Sequence, residues 1–110
     1  LKPGLAGGGY DKIDRMMDWS VYIIQCTNDS LYTGITNNIQ RRFSQHLNRR
    51  GAKFFRGHSP KRVVYVENGH TRSSASRREA AIKKHTRTGK LQLILSGINE
   101  VHRQKPNGIQ

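Results

Sequence analysis

The sequence predicts a single small α/β (α+β) domain, a central antiparallel sheet of about three strands flanked by helices. Three observations predict it. "WSVYIIQC" and "LYTG" are aromatic and β-branched runs separated by the turn-forming "TNDS". The apolar period then changes from two to that of a helix after Thr36, and "VVYVE" returns to strand character before a second helical stretch. At 110 residues the chain can enclose one modest core and not two.

Residues 1–18 contain four glycines and no period, and are expected to form a disordered N-terminal extension. "GLAGGG" within them lacks the preceding strand that a phosphate-binding loop needs. The domain proper is expected over 19–95, opening with the hairpin of strands 19–26 and 31–34. Tyr22 and Tyr32 share a face of that hairpin if the connecting loop has an odd number of residues, and a two-residue Asn28-Asp29 turn would separate them. Thr36 or Asn37 can cap a helix whose Ile39, Phe43 and Leu47 form one apolar stripe. Gly51 lies past its end, before a basic loop and the strand at 63–67. Ser73, Ser74 or Ser76 opens a second helix running to about His85; "TGKLQLIL" is a third helix or an extended piece, and 96–110 is a polar C-terminal tail.

The formal net charge of +13 exceeds what solubility requires, and residues 41–90 hold 15 basic side chains against Glu67 and Glu79 alone. A polyanion is the expected partner. Nucleic acid is favoured over a membrane, because no apolar run reaches spanning length and no long helix pairs a basic face with an apolar one. Cys26 cannot close an intramolecular disulfide and reads as a small buried residue; with no secretory segment visible, a cytoplasmic location and a monomer are expected. His58, His70 and His85 lack metal-ligand spacing, so no zinc site is assigned.

Arg42 and His46 are four residues apart and stack on one helix face beside the apolar stripe, whereas Arg41 points toward water. Glu79 falls on the stripe of Ala75 and Ile82, where a carboxylate needs a partner. Three partners are open to it: the backbone, if Ser76 and Glu79 form a capping box; Lys83, one turn on; or a divalent metal such as Mg²⁺, which commonly takes one or two protein carboxylates and completes its shell with water and phosphate.

Together these residues resemble the GIY-YIG nuclease family. "SVY", ending at Tyr22, stands in the place of G-I-Y, and "YTG", beginning at Tyr32, in the place of Y-I-G; Arg42, His46 and Glu79 follow in the family's order. The resemblance spans about 19–95 and is closest to small stand-alone bacterial members sometimes called YhbQ-like, through "LYTGITNNIQRRFSQH", "GAKFFRGHSPKRVVYVE" and "RREAAIKK". Ser20, Val21 and Thr33 depart from the two motifs, and Ile35 stands where the repair-nuclease branch has a lysine.

The resemblance implies a metal-dependent endonuclease that hydrolyses phosphodiester bonds in DNA, directed by structure more than sequence, with a place in repair or recombination. Tyr22 would be the general base, its pKa lowered by a neighbouring cation; Tyr32 would position it, Arg42 would bind the phosphate, and His46 would relay the proton or orient Tyr22. Glu79 would hold one Mg²⁺ or Mn²⁺. Arg41, Arg49, Arg50, Lys53, Arg56, Lys61 and Arg62 are the expected grip on flanking DNA, with RNA the alternative polymer. The rival expectation is a non-catalytic DNA- or RNA-binding protein on the same fold, and a ribosome-like component comes third.

Overall fold

A computed structural model describes residues 16–48 and 53–103. The chain runs β1 (Trp19–Cys26), β2 (Leu31–Thr36), helix α1 (Ile39–Leu47), β3 (Pro60–His70), then helices α2 (Arg72–Lys83) and α3 (Arg87–Leu95); 3₁₀ turns cover Lys53–Arg56 and Val101–Arg103. The sheet is antiparallel throughout, in the order β2-β1-β3. β1 takes the centre because its apolar run lets it be covered on both faces.

One face carries Val21, Ile23 and Tyr65 beneath Ala75 and Ile82 of α2, with Leu93 and Ile94 of α3 against them. The other carries Tyr22, Ile24 and Cys26, closed by Phe55 and packed by Ile39 and Phe43 of α1. Cys26 is buried there, as expected. The hairpin pairs Tyr22 with Gly34 and Ile24 with Tyr32. The loop thus has odd parity, and both tyrosines lie on the α1 face. Asp29 supplies the left-handed residue at its tip, with φ 68°.

Several local expectations are corrected. The α1 cap is Asn38, whose side chain accepts from Arg41 N at 3.0 Å; Thr36 lies outside the helix and accepts from Asn38 N at 3.0 Å. Leu47 is largely exposed and His46 is buried in its stead, because the helix presents positions 39, 43 and 46 to the sheet. α2 begins at Arg72 with Thr71 as its cap in a reciprocal box with Ser74, so Ser76 lies inside the helix and the Ser76–Glu79 capping box does not form. "TGKLQLIL" is helical, capped by Thr86 through a 3.1 Å bond from Gly89 N.

Beyond α3, residues 96–103 do not hang free as a tail. Asn99 donates to the carbonyls of Val64 (2.9 Å) and Ile94 (2.8 Å) and accepts from Val66 N (3.1 Å), while Glu100 N donates to Val66 O at 2.8 Å. A polar sequence here satisfies the backbone of β3, which composition alone does not reveal. Residues 1–15 and 104–110, the bulk of the expected extension and tail, lie outside the described residues, as do Arg49 and Arg50.

Candidate active site

Gly34 explains how the two tyrosines meet. A Cβ added there would lie 2.6 Å from Tyr22 Oη, 2.7 Å from Tyr22 Cζ and 3.0 Å from Tyr32 Cε2. Without one, the Tyr22 ring crosses from the central strand over the backbone of the edge strand β2. Its ring centroid lies 6.3 Å from that of Tyr32, and Phe55 closes over Tyr32 at 4.7 Å.

His46 enters the same cluster from the last turn of α1. Its Nε2 is 2.9 Å from Tyr22 Oη, and its ring centroid is 5.5 Å from Tyr32 and 4.2 Å from Phe55. Both the imidazole and the Tyr22 side chain are buried. For Nε2 to accept the phenolic proton, the ring's own proton must sit on Nδ1.

Arg42, one turn before His46, is half-buried and donates from Nη1 to Gln45 Oε1 at 2.9 Å. It also stabilises the ionised form of Tyr22 by hydrogen bonding and charge. That is not enough to lower the pKa. Burial pushes the Tyr22 phenol well above its ordinary value, Tyr32 adds to the rise, and Glu79 opposes ionisation too. The expectation of a phenol lowered by its neighbouring cation is therefore corrected: in the apolar setting that holds the ring, desolvation outweighs Arg42. Tyr32 is likewise raised by burial, against the pull of Lys83 and Arg42.

Glu79 comes from the opposite helical layer. α2 packs against β2 and β1, and from there the field of Glu79 reaches both phenols. Its side chain is 23% exposed, and Oε2 lies 3.2 Å from Lys83 Nζ. Of the three partners open to Glu79 in the sequence, the structure contains Lys83. Among the described residues no group of three or more His, Cys, Asp or Glu gathers into a cage. One part-exposed carboxylate is what a single Mg²⁺ or Mn²⁺ needs from the protein when water and substrate phosphate complete its shell.

Of the basic residues expected to grip flanking nucleic acid, Arg41, Lys53, Arg56, Lys61 and Arg62 are exposed. Arg41 donates to Asn37 Oδ1 at 2.9 Å and Arg62 to Gln25 Oε1 at 3.1 Å, so both heads are oriented at the surface. Sequence reasoning missed Phe55, which closes the aromatic cluster, and reduced Lys83 to a local partner of Glu79. The i,i+4 spacing was the signal for Lys83; Phe55 carried none.

A family model, the GIY-YIG catalytic domain, matches residues 18–92. The chain belongs to the GIY-YIG family. The family is one of nucleases, so nucleic acid is the substrate class that membership implies, and its members generally depend on divalent metal. Similar proteins include the UPF0213 protein CPE1444 of Clostridium perfringens, 50% identical over 69% of this chain and 82% of that protein. The UPF0213 protein XAC3202 of Xanthomonas axonopodis pv. citri is 36% identical over 86% of this chain and 92% of its own length. A solution NMR structure of the UPF0213 protein BH0048 from Bacillus halodurans aligns with a TM-score of 0.47 and 35% identity, covering 73% of this chain and 85% of that one. Among the described residues no helix is long and apolar enough to cross a membrane.

Proposed function

We propose that this family member is a divalent-metal-dependent endonuclease acting on DNA, selecting its target by strand structure more than by sequence, in repair or recombination. The observation that carries the reading is the Tyr22 Oη to His46 Nε2 contact of 2.9 Å, held over Gly34 and within the field of Arg42 and Glu79. A buried phenol with a raised pKa is a poor base alone, but one with an imidazole nitrogen against its oxygen can pass a proton on.

In the proposed step, Tyr22 Oη takes a proton from the attacking water as it yields its own to His46 Nε2. The water oxygen forms a bond to phosphorus, the bond to the leaving oxygen breaks, and that oxygen takes a proton from solvent. Arg42 binds the non-bridging oxygens, where charge grows in the transition state. Tyr32 holds Tyr22 and the phosphate in line. Glu79 would hold the metal ion, which would supply Lewis-acid charge at the phosphate. Arg41, Lys53, Arg56, Lys61 and Arg62, with Arg49 and Arg50, contact flanking phosphates and so add affinity without sequence preference.

The rival reading, a nucleic-acid binder without catalysis, draws on the Glu79–Lys83 ion pair, which occupies the carboxylate the metal needs. End-labelled flapped, branched, single-stranded and duplex DNA, incubated with Mg²⁺ or EDTA, separates the two. Metal-dependent cutting lost in folded Tyr22→Phe and Glu79→Ala proteins is the expected result. Binding without product across the panel, RNA included, would establish the rival.

A further inference from the structure

We infer that Lys83 is a second cation of the catalytic centre: it holds the Glu79 carboxylate in the resting protein and turns to the substrate phosphate when a divalent ion takes that carboxylate. This inference rests on the nuclease reading. Lys83 Nζ lies 3.2 Å from Glu79 Oε2, and its side chain is 52% exposed. An i,i+4 pair of that exposure adds little to stability. The contact is weak enough for an incoming cation to displace.

The position of Lys83 gives it more than a helix-surface role. Of the cations that ease ionisation of Tyr32, Lys83 is the foremost, ahead of Arg42. The two reach Tyr32 from different elements, Arg42 from α1 and Lys83 from α2, so a phosphate at its hydroxyl would be met from two sides. Lys90 of α3 stands within the field of Lys83. Once Glu79 is engaged by a metal ion, Lys83 loses its counter-charge and faces a like charge from Lys90. An anionic phosphodiester is the ligand that relieves both.

The proposal predicts opposite changes from one substitution. Free Mn²⁺, followed by electron paramagnetic resonance in the absence of nucleic acid, should show several-fold tighter binding to Lys83→Met than to the parent, because the competing ammonium is gone. Lys83→Arg should resemble the parent and Glu79→Gln should lose binding. At saturating Mn²⁺, single-turnover cleavage by Lys83→Met should fall about 100-fold, with partial recovery in Lys83→Arg. Thermal melts should match the parent, since the replaced side chain is exposed. Unchanged Mn²⁺ affinity, or unchanged cleavage at saturating metal, would overturn the role. If the parent cuts nothing, the nuclease reading fails separately. The Lys83 assignment then stands or falls on whether Lys83→Met binds Mn²⁺ more tightly and, only with Mn²⁺ present, binds a short oligonucleotide more weakly.

Discussion

Two clusters built from the same four residue types lie on opposite faces of β1. On the α1 face are Tyr22, His46 and Arg42, with Glu79 reaching them; on the α2 face are Tyr65, His70, Arg78 and Glu67. Glu67 accepts from Tyr65 Oη at 2.5 Å, from His70 Nε2 at 2.7 Å and from Arg78 Nε at 3.0 and 3.1 Å, and His70 Nδ1 is 2.7 Å from Ser74 Oγ. Both oxygens of that carboxylate are engaged by groups anchored in the fold. Glu79, by contrast, meets a flexible lysine, and Arg42 a glutamine. Saturation, more than residue type, separates a structural network from a site with capacity left for a ligand.

The sharpest test of this contrast neutralises charged groups of the two clusters in turn. Glu79→Gln and Arg42→Ala should each lower cleavage about 100- to 1,000-fold with little change in melting. Glu67→Ala should do the reverse, sparing single-turnover cleavage but costing about 2–3 kcal/mol in urea unfolding, because Arg78 is left without its acceptor. Equal effects of the two on cleavage would break the distinction.

A smaller effect is expected at Gly34. Gly34→Ala should displace the Tyr22 ring, lowering cleavage by more than tenfold and stability by about 1–3 kcal/mol through overpacking. Restored cleavage in the Gly34→Ala, Tyr22→Phe double variant would show that the hydroxyl is dispensable.

Acid unfolding reports on the saturated cluster. Burial by itself would raise the Glu67 carboxyl, but hydrogen bonds from Tyr65, His70 and Arg78 and the Arg78 charge carry it below its usual 4.5. A lowered acid contributes stability above its unfolded value and loses it as pH falls through the folded one. Stability should therefore decline below about pH 4.5, and Glu67→Gln should flatten that limb. Tyr22 and Tyr65, both raised mainly by burial, carry the opposite sign: their contribution is full below pH 10 and is lost as pH rises above it. The least effect is expected at the surface. Lys61→Ala with Arg62→Ala should weaken DNA binding uniformly across sequences and reduce the salt slope by about two.

Much of the fold was legible because periodicity is local. The hairpin, α1 and the strand at 63–67 each announce themselves within a few residues, as strand-forming side chains or a recurring apolar stripe. The cap of α2 was misjudged because "TRSSASRRE" offers several hydroxyl residues, and only the path from β3 selects Thr71. His46 could be placed at a core edge, but its full burial depends on Phe55, which arrives from a loop with no period of its own. The Tyr22 pKa was misjudged for a related reason: the favourable charge of Arg42 is a pairwise effect that sequence order suggests, whereas desolvation is a property of the whole enclosure.

By itself the sequence determined the basic charge that suits a polyanion, the parity options of the hairpin and the order Tyr22, Tyr32, Arg42, His46, Glu79. Those follow from composition and spacing along one dimension. Tertiary structure alone decided that the hairpin loop is odd, that Gly34 lets Tyr22 cross β2 to meet His46, and that Glu67 is spent in a closed network. These depend on which side chains from distant segments reach one carboxylate or one ring, and that is settled only when the layers pack.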